Sequence, residues 1–210
     1  MNIKHFIFDL DGTLWNTTEV SAMAYNHALQ TAGGGFLHVT PEVIKKEFGK
    51  PLDAIADDLF PDCEQPVRER LMNQCEASNT ARLRETDADL LYPDVRETMA
   101  RLSRRCSLYI VSNCQSGYIE MFLEKYGLEP YITDTECFGN NGKSKADNIR
   151  LLMERNGIKE AVYVGDTAGD YESATRAGIP FIFASYGYGE IRQSSHTILS
   201  FSELVNYAAS

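Results

Sequence analysis

Two short acidic segments carry the residue types best able to do chemistry in this chain. DLDGT (residues 9–13) comes directly after the apolar run 3–8, and GDTAGD (residues 165–170) comes directly after the apolar run 161–164. If both runs are strands of a parallel sheet, their carboxyl ends meet at one edge and bring these carboxylates together. Burying several carboxylates is costly unless a cation compensates them, and oxygen ligands favour Mg²⁺. A local alternative stays open for each segment, an Asp-Gly turn at Asp11 and a helix cap at Asp170.

Groups able to hold an anion occur at two further places. Ser112 and Asn113 follow another apolar run, 108–111, so their hydroxyl and amide groups are expected at a third strand end. Lys143 and Lys145 come just before a helical pattern over residues 146–156, and a helix N-terminus favours anions. We prefer Lys145 because it directly precedes the helix, but Lys143 stays open. Taken singly, a capping Ser-Asn pair and a solvated lysine are the alternatives.

Short apolar runs alternating with helical patterns predict the elements that position these groups. The runs are rich in Val, Ile, Phe and Tyr, which is typical of strands covered on both faces of a parallel sheet. The alternation from about residue 92 onward predicts an α/β fold with a doubly wound, Rossmann-like sheet. The predicted strands are residues 3–8, 108–111, 161–164, 181–184 and 197–199, and the predicted helices are residues 95–104, 116–126, 146–156 and 171–177.

The stretch between residues 16 and 84 differs from the rest because it contains no convincing strand. Its patterns predict helices over residues 18–31, 41–48, 52–59 and 66–83, the first of which ends at three glycines, residues 33–35. A helical block is therefore predicted to interrupt the α/β domain after its first strand. We place the α/β core at residues 1–15 and 85–210 and the helical block at residues 16–84.

Composition and charge exclude several functional classes. The chain has 210 residues and a formal net charge of −10, so it lacks the basic balance of a general nucleic-acid binder. No apolar stretch approaches the length of a membrane span, and the N-terminal apolar run is too short for a signal peptide. The five cysteines are scattered without CxxC spacing, which favours free thiols in a reducing cytoplasm. No pattern indicates an oligomeric state.

The four fragments together resemble the motif set of the haloacid dehalogenase-like hydrolase superfamily. Its motifs are DxDGT, a hydrophobic strand ending in Ser or Thr, a Lys before a helix, and a strand ending in GDxxxD. They stand here as DLDGT, Ser112, Lys145 and GDTAGD, over a stretch from about residue 3 to residue 184. LYPDV at residues 91–95 resembles the phosphoglycolate phosphatase and β-phosphoglucomutase-like subgroup. The helical block looks like that family's cap domain, inserted after the first motif.

The resemblance implies a Mg²⁺-dependent phosphatase that acts on a small phosphorylated metabolite through an aspartyl-phosphate. Asp9 would be the nucleophile, and Asp11 would act as general acid and then as general base. Mg²⁺ would be held by Asp9, the backbone carbonyl of Asp11 and Asp166, with Asp170 beside them to orient the site lysine or a water. Dehalogenases and phosphonatases of the family lack the acid at the position of Asp11, so its presence here favours phosphoester hydrolysis.

The same resemblance assigns the phosphoryl oxygens to Ser112, Asn113 and Lys145. Specificity would come from the cap, where Lys50 lies in a stretch similar to the subgroup's substrate-facing loop. Our hypothesis is that Lys50 holds an anionic substrate, and the alternative is a solvated helix face. The loop YGYG at residues 186–189 is expected to pack beside the motif rather than to bind substrate.

Two other functions stay open. A phosphomutase would use the same Asp9 and Asp11 but would return the phosphoryl group to its substrate. A phosphorylatable or noncatalytic binding module belongs to a different class, and phosphate-receiving domains share an acidic site and a lysine. Such domains lack a large helical insertion and a second acid equivalent to Asp11, which favours the enzyme.

Overall fold

The chain folds into two compact units. A computed structural model describes residues 2–33, 37–191 and 195–209. The core unit comprises Met1–Asn16 and Leu90–Ser210, and the helical unit comprises Thr17–Asp89. Within the core unit, the residues that precede and follow the helical unit in the chain are neighbours. The Asn16 N–H donates to the Leu90 carbonyl at 2.8 Å, and Trp15 forms an antiparallel bridge with Leu91.

The helical unit contains four helices in its described part, namely α1 (Thr18–Ala32), α2 (Pro41–Glu47), α3 (Leu52–Leu59) and α4 (Gln65–Glu85). The Tyr25 hydroxyl of α1 donates to the Glu76 carboxylate of α4, which joins the two longest helices. Local signals set the helix ends, since Gly33 closes α1 with a φ of 80° and the Thr40 side chain accepts from a backbone N–H of α2. Residues 34 and 35 of the predicted glycine stop lie outside the described residues. Among all described helices, none is long and apolar enough to span a bilayer.

The described residues of the core unit form six strands, β1 (His5–Phe8), β2 (Ser107–Ser112), β3 (Ile132–Cys137), β4 (Val162–Gly165), β5 (Phe181–Ala184) and β6 (Thr197–Ile198). All pairs are parallel, and the order is β3-β2-β1-β4-β5-β6. Phe8 of β1 lies opposite both Ile110 of β2 and Val164 of β4, so the carboxyl ends of these three strands are neighbours. The chain order reverses at β1, and open α/β sheets bind ligands at such a switch point. The predicted doubly wound α/β fold is confirmed.

The strand β3 is absent from the sequence-based prediction. It lies at one end of the sheet, so it does not need the continuous apolar run of a strand covered on both sides. Its Asp134 and Glu136 carboxylates bind the guanidinium of Arg155 instead of packing into an apolar layer. A strand whose polar side chains are satisfied by a neighbouring helix has no clear hydrophobic pattern to detect.

Five helices cover the described part of this sheet, and two of them end as predicted. Gly127 and Gly178 adopt left-handed caps with φ values of 61° and 82°. The predicted start of the last helix at residue 171 is wrong, because Thr167 caps that helix and the first turn begins at Ala168. Short 3-10 helices cover Glu129–Tyr131 and Phe201–Asn206. The helices are α5 (Val95–Leu102), α6 (Tyr118–Tyr126), α7 (Phe138–Asn141), α8 (Lys145–Arg155) and α9 (Ala168–Ala177).

Both faces of β1 are buried, which explains its uninterrupted apolar sequence. Phe6 and Phe8 point to one face, where Phe8 packs against Phe201 with ring centroids 5.4 Å apart. Ile7 points to the other face and joins a cluster that includes Ile149 of α8 and side chains of β2, β4 and β5. Because side chains alternate along a strand, β1 is held between two apolar layers. Asp9 follows Phe8 and so lies at the carboxyl end of this strand.

Candidate active site

The DLDGT segment forms a tight turn at the end of β1. The Asp9 N–H donates to the Val164 carbonyl at 2.9 Å, so Asp9 continues the pairing of β1 with β4. The chain then turns, with the Leu14 N–H donating to the Leu10 carbonyl at 2.8 Å. Gly12 sits in this turn with a φ of 84°, and a Cβ there would lie 2.2 Å from Oδ2 of Asp166. Glycine is therefore required both by the backbone conformation and by the approach of a carboxylate.

Asp166 follows β4 and is fully buried in a cradle of hydrogen-bond donors. The Thr13 hydroxyl donates to its Oδ1 at 3.1 Å, and the Tyr188 N–H donates to its Oδ2 at 2.7 Å. Gly187 packs so closely that a Cβ would lie 2.3 Å from the Asp166 Cβ. The loop at residues 186–189 therefore packs beside the acidic motif as the sequence predicts, and it also fixes the orientation of the carboxylate.

Asp170 uses its two carboxylate oxygens for two purposes. Its Oδ2 accepts from the backbone N–H of Thr167 at 2.9 Å and from the hydroxyl of Thr167 at 2.7 Å, which completes a capping box at the start of α9. Its Oδ1 accepts from Nζ of Lys145 at 2.6 Å. The capping alternative and the site interpretation are thus compatible, since each applies to a different oxygen.

Lys145 is the lysine that lies among these carboxylates. It is the first residue of α8, its side chain is 2% exposed, and its Nζ donates to Oδ1 of Asp9 at 2.9 Å as well as to Asp170. Lys143 is exposed, two residues before the helix begins. The Ser144 side chain accepts from the Asp147 N–H and so fixes the point at which the helix starts. This start directs Lys145 into the core and leaves Lys143 in the loop.

Burial and mutual repulsion destabilise the charged carboxylates. Burial, and next the repulsion from Asp170, raise the pKa of Asp9 to about 6, although Lys145 acts in the opposite direction. Burial, Asp170 and Asp9 also raise the pKa of Asp166 well above its usual range. Burial opposes the charged form of Lys145, but the two neighbouring carboxylates outweigh burial and raise its pKa. One ammonium group therefore compensates only part of the negative charge.

The acidic cluster fits a divalent cation. Asp9, Asp166 and Asp170 are all buried, and each offers a carboxylate oxygen within 4.8 Å of those of the other two. The set consists of oxygen donors alone, which suits Mg²⁺. Its excess of buried negative charge is the condition under which a bound cation is favourable. The fourth predicted acid, Asp11, is outside this set.

The remaining predicted residues of the core unit lie at or just after the carboxyl ends of β1 and β2, which are neighbouring strands. Ser112 is buried at the end of β2, beside β1, and Asn113 follows it half-buried. Asp11 is 9% exposed, and its Oδ1 accepts from the Tyr118 hydroxyl at 3.1 Å. No sequence signal marks Tyr118, because a tyrosine at the start of a helix carries no motif that points to a carboxylate more than a hundred residues away.

Lys50 belongs to the helical unit, where it makes two ion pairs. Its Nζ lies 2.6 Å from Oε2 of Glu47 and 2.7 Å from Oδ2 of Asp58. Burial lowers the pKa of Lys50, but hydrogen bonds to Asp58 and Glu47 outweigh this and raise it. A role in holding substrate stays a prediction for this residue.

Comparison with known proteins is consistent with this geometry. The family model of haloacid dehalogenase-like hydrolases matches residues 6–184. A phosphoglycolate phosphatase of Vibrio parahaemolyticus is 29% identical over 203 residues, with 89% of this chain and 86% of that protein covered. Pyrophosphatase PpaX of Oceanobacillus iheyensis is 26% identical over 185 residues, with 85% and 82% covered.

A solved structure shares the fold over almost the whole length. The crystal structure of a predicted phosphoglycolate phosphatase from Haemophilus somnus has a TM-score of 0.84 and 20% identity, and 98% of both chains is covered. The resemblance and the enzyme class predicted from the motifs, a phosphatase of this family, are confirmed. All four motif positions fall inside the matched segment, and the chain therefore belongs to the haloacid dehalogenase-like hydrolase family.

Proposed function

We propose that the protein hydrolyses a small phosphorylated metabolite through an aspartyl-phosphate on Asp9. The observation that supports this most directly is the position of Asp9, which is buried at the end of β1 beside Lys145 and the carboxylates of Asp166 and Asp170. A carboxylate held in this way has a fixed orientation, which is what nucleophilic attack on phosphorus requires.

Asp9 and Asp11 divide the chemistry between them. Asp9 attacks phosphorus while Asp11 donates a proton to the leaving oxygen, so that the alcohol departs neutral. Asp11 then takes a proton from water, which attacks the phosphorus, regenerates Asp9 and releases inorganic phosphate. The two side chains come from the same turn. Asp9 acts on the phosphorus, and Asp11 acts on the oxygen, of the P–O bond that breaks. Ser112, Asn113 and Lys145 are proposed to hold the phosphoryl oxygens.

The cation proposed for this site is Mg²⁺. Asp9, the backbone carbonyl of Asp11 and Asp166 would hold it, and Asp170 would keep Lys145 in place beside it. When bound, Mg²⁺ would reduce the repulsion between the anionic nucleophile and the anionic substrate. The donors from Thr13 and Tyr188 keep the Asp166 carboxylate in a fixed position for this purpose.

Residues 17–89 are proposed to be the cap that selects the substrate. The named activities of the relatives, phosphoglycolate phosphatase and pyrophosphatase, make a short anionic phosphomonoester the first substrate to test and inorganic pyrophosphate the second. In this proposal Lys50 contributes a cation toward the anionic substrate. All five cysteines are free thiols, which is typical of a protein that functions in a reducing cytoplasm.

The test uses p-nitrophenyl phosphate, phosphoglycolate, pyrophosphate and a sugar phosphate, each with Mg²⁺ and with EDTA. We expect Mg²⁺-dependent release of phosphate that Asp9→Asn abolishes. Turnover that survives in Asp9→Asn would remove the nucleophile assignment. Transfer of the phosphoryl group within a sugar phosphate, without release of phosphate, would favour the phosphomutase. Binding of phosphate without turnover of any substrate would favour the binding module.

A further inference from the structure

Tyr118 lies in contact with the carboxylate that is expected to move protons. Its hydroxyl is 3.1 Å from Oδ1 of Asp11, and Tyr118 itself is only 2% exposed. We propose that Tyr118 is a positioning residue for Asp11, an assignment that rests on the proposed function. The tyrosine keeps its own proton and acts by fixing which carboxylate oxygen faces the reaction.

The ring of Tyr118 is held by an aromatic face of α6. Tyr118, Phe122 and Tyr126 are spaced four residues apart, so they lie on one side of the helix. Trp15 packs edge-on against all three, with ring centroids 5.6, 5.0 and 6.1 Å away. Edge-to-face packing of this kind restricts the orientation of each ring. The hydroxyl of Tyr118 therefore has little freedom to leave Asp11.

The same tryptophan is also tied to the turn that carries Asp11. The Gly12 N–H donates to the Trp15 carbonyl at 2.9 Å, and Asp11 and Trp15 form a backbone bridge. Trp15 thus contacts the turn through its backbone and α6 through its ring. This arrangement fixes the distance between the Tyr118 hydroxyl and the Asp11 carboxylate, independently of any substrate.

The contact with Tyr118 also determines which oxygen of Asp11 carries the proton. Because Tyr118 donates to Oδ1, the proton that Asp11 transfers is carried on Oδ2. In the first step the Oδ2–H bond breaks as the leaving oxygen gains the proton and separates from phosphorus. In the second step Oδ2 accepts a proton from the attacking water as the new O–P bond forms. Without Tyr118 the carboxyl group can rotate, and a smaller fraction of molecules presents a proton in the productive direction.

The variant Tyr118→Phe tests this, with Tyr126→Phe as the matched control. Tyr126 lies on the same aromatic face, but its hydroxyl accepts from the Leu90 N–H at 3.1 Å. The measured quantity is kcat/KM for an alkyl phosphate and for p-nitrophenyl phosphate. An alkoxide needs a proton to leave, whereas p-nitrophenolate leaves readily without one. We expect Tyr118→Phe to lower kcat/KM about 10-fold on the alkyl phosphate and much less on p-nitrophenyl phosphate, with Tyr126→Phe close to wild type.

Combining Tyr118→Phe with Asp11→Asn separates positioning from a general structural effect. If Tyr118 acts through Asp11, Tyr118→Phe has no further effect on the alkyl phosphate in the Asp11→Asn background. Equal losses in both backgrounds, or equal losses on both substrates, would overturn the proposal. Fluorescence of Trp15, the sole tryptophan, reports whether the packing around position 118 is kept. The proposed function is judged separately, by wild-type turnover that Asp9→Asn abolishes, and without that turnover both fail.

Discussion

Nζ of Lys145 lies 2.9 Å from Oδ1 of Asp9, although 136 residues separate them, and both side chains are 2% exposed. The pair joins the end of the central strand β1 to the start of α8. A buried ion pair of this kind is stabilised only if its geometry is good and its other polar atoms are satisfied. Asp170 meets that condition by accepting a second hydrogen bond from the same ammonium group. The pair therefore connects elements of the fold as well as side chains of the candidate site.

Replacing Lys145 is expected to damage both activity and stability. In Lys145→Met the buried carboxylates of Asp9 and Asp170 lose the ammonium group that binds both of them, so we expect a loss of about 3–5 kcal/mol in the free energy of unfolding. We also expect kcat/KM to fall at least about 100-fold, since the proposed donor to the phosphoryl oxygens is removed. Steady-state kinetics and urea unfolding measure the two effects.

Lys143→Met is the control for that prediction. Lys143 is two residues away but exposed, so its replacement is expected to leave kcat/KM and the urea midpoint close to wild type. Equal losses in the two variants would contradict the assignment of Lys145 as the site lysine.

The sequence predicts most of the core elements because their patterns depend on neighbours close in the chain. β1, β4 and β5 are apolar runs, and the glycines at 127 and 178 act locally as helix caps. The edge strand β3 escapes prediction because Arg155, from a helix later in the chain, satisfies its acids. Such compensation over distance leaves no local pattern.

The candidate site also contains features that have a local sequence pattern and features that have none. Asp9, Asp11, Asp166 and Asp170 follow strands in recognisable motifs, so their positions can be predicted before the fold is known. Hydrogen bonds between distant segments cannot be predicted in this way. The donors to Asp166 from Thr13 and from the Tyr188 N–H are of this kind, and so is the contact of Tyr118 with Asp11, because each depends on how the strands are ordered.

Gly12→Ala is expected to disrupt the proposed cation site. The new Cβ would lie 2.2 Å from Oδ2 of Asp166, and that carboxylate cannot swing away freely because Thr13 and Tyr188 hold it. We expect Mg²⁺ affinity to fall at least about 10-fold, the range seen when the orientation of a metal ligand is disturbed. Isothermal titration calorimetry with Mg²⁺ measures this.

Gly178→Ala separates this clash from backbone strain. Gly178 has a φ of 82°, close to the 84° of Gly12, but a Cβ there meets no atom within 4 Å. The backbone cost of about 1–2 kcal/mol is therefore expected in both variants, whereas the loss of Mg²⁺ affinity is expected only in Gly12→Ala. A weakened Mg²⁺ affinity in Gly178→Ala would show that strain at a distance, and not contact with Asp166, disturbs the site.

Asp166→Asn is expected to change the stability in opposite directions with and without Mg²⁺. In EDTA the variant loses one of several repelling buried carboxylates, so its Tm should rise by about 2–4 °C for each kcal/mol of repulsion relieved. In Mg²⁺ at about 100 times the dissociation constant, the wild type gains about 2.7 kcal/mol, and the variant should gain much less. Differential scanning calorimetry measures the difference in Tm between the variant and the wild type in both buffers. A variant less stable than wild type by the same amount in both buffers would indicate that Asp166 has only a structural role.

The network of Arg155 with Asp134 and Glu136 is expected to lose its stabilising effect in acid. Burial raises the pKa of each carboxyl, but hydrogen bonds, chiefly from Arg155, Asn156 and Asn140, and the charge of Arg155 outweigh it. Both pKa values therefore lie below their ordinary values of 3.8 and 4.5. Because the folded-state values are the lower ones, the stabilisation is complete above about pH 4.5 and disappears as the pH falls through the folded-state values.

Arg155→Met should therefore cost about 1 kcal/mol near pH 7, a modest amount because the pair is partly exposed, and progressively less as the solution is acidified below about pH 4. Urea midpoints of the two proteins across this pH range provide the measurement. Arg150→Met, which breaks an exposed pair with Asp147, is the control and should change the midpoint less at neutral pH. If Arg155→Met lowers the midpoint equally at every pH, the arginine stabilises β3 through its packing on the strand rather than through its charge.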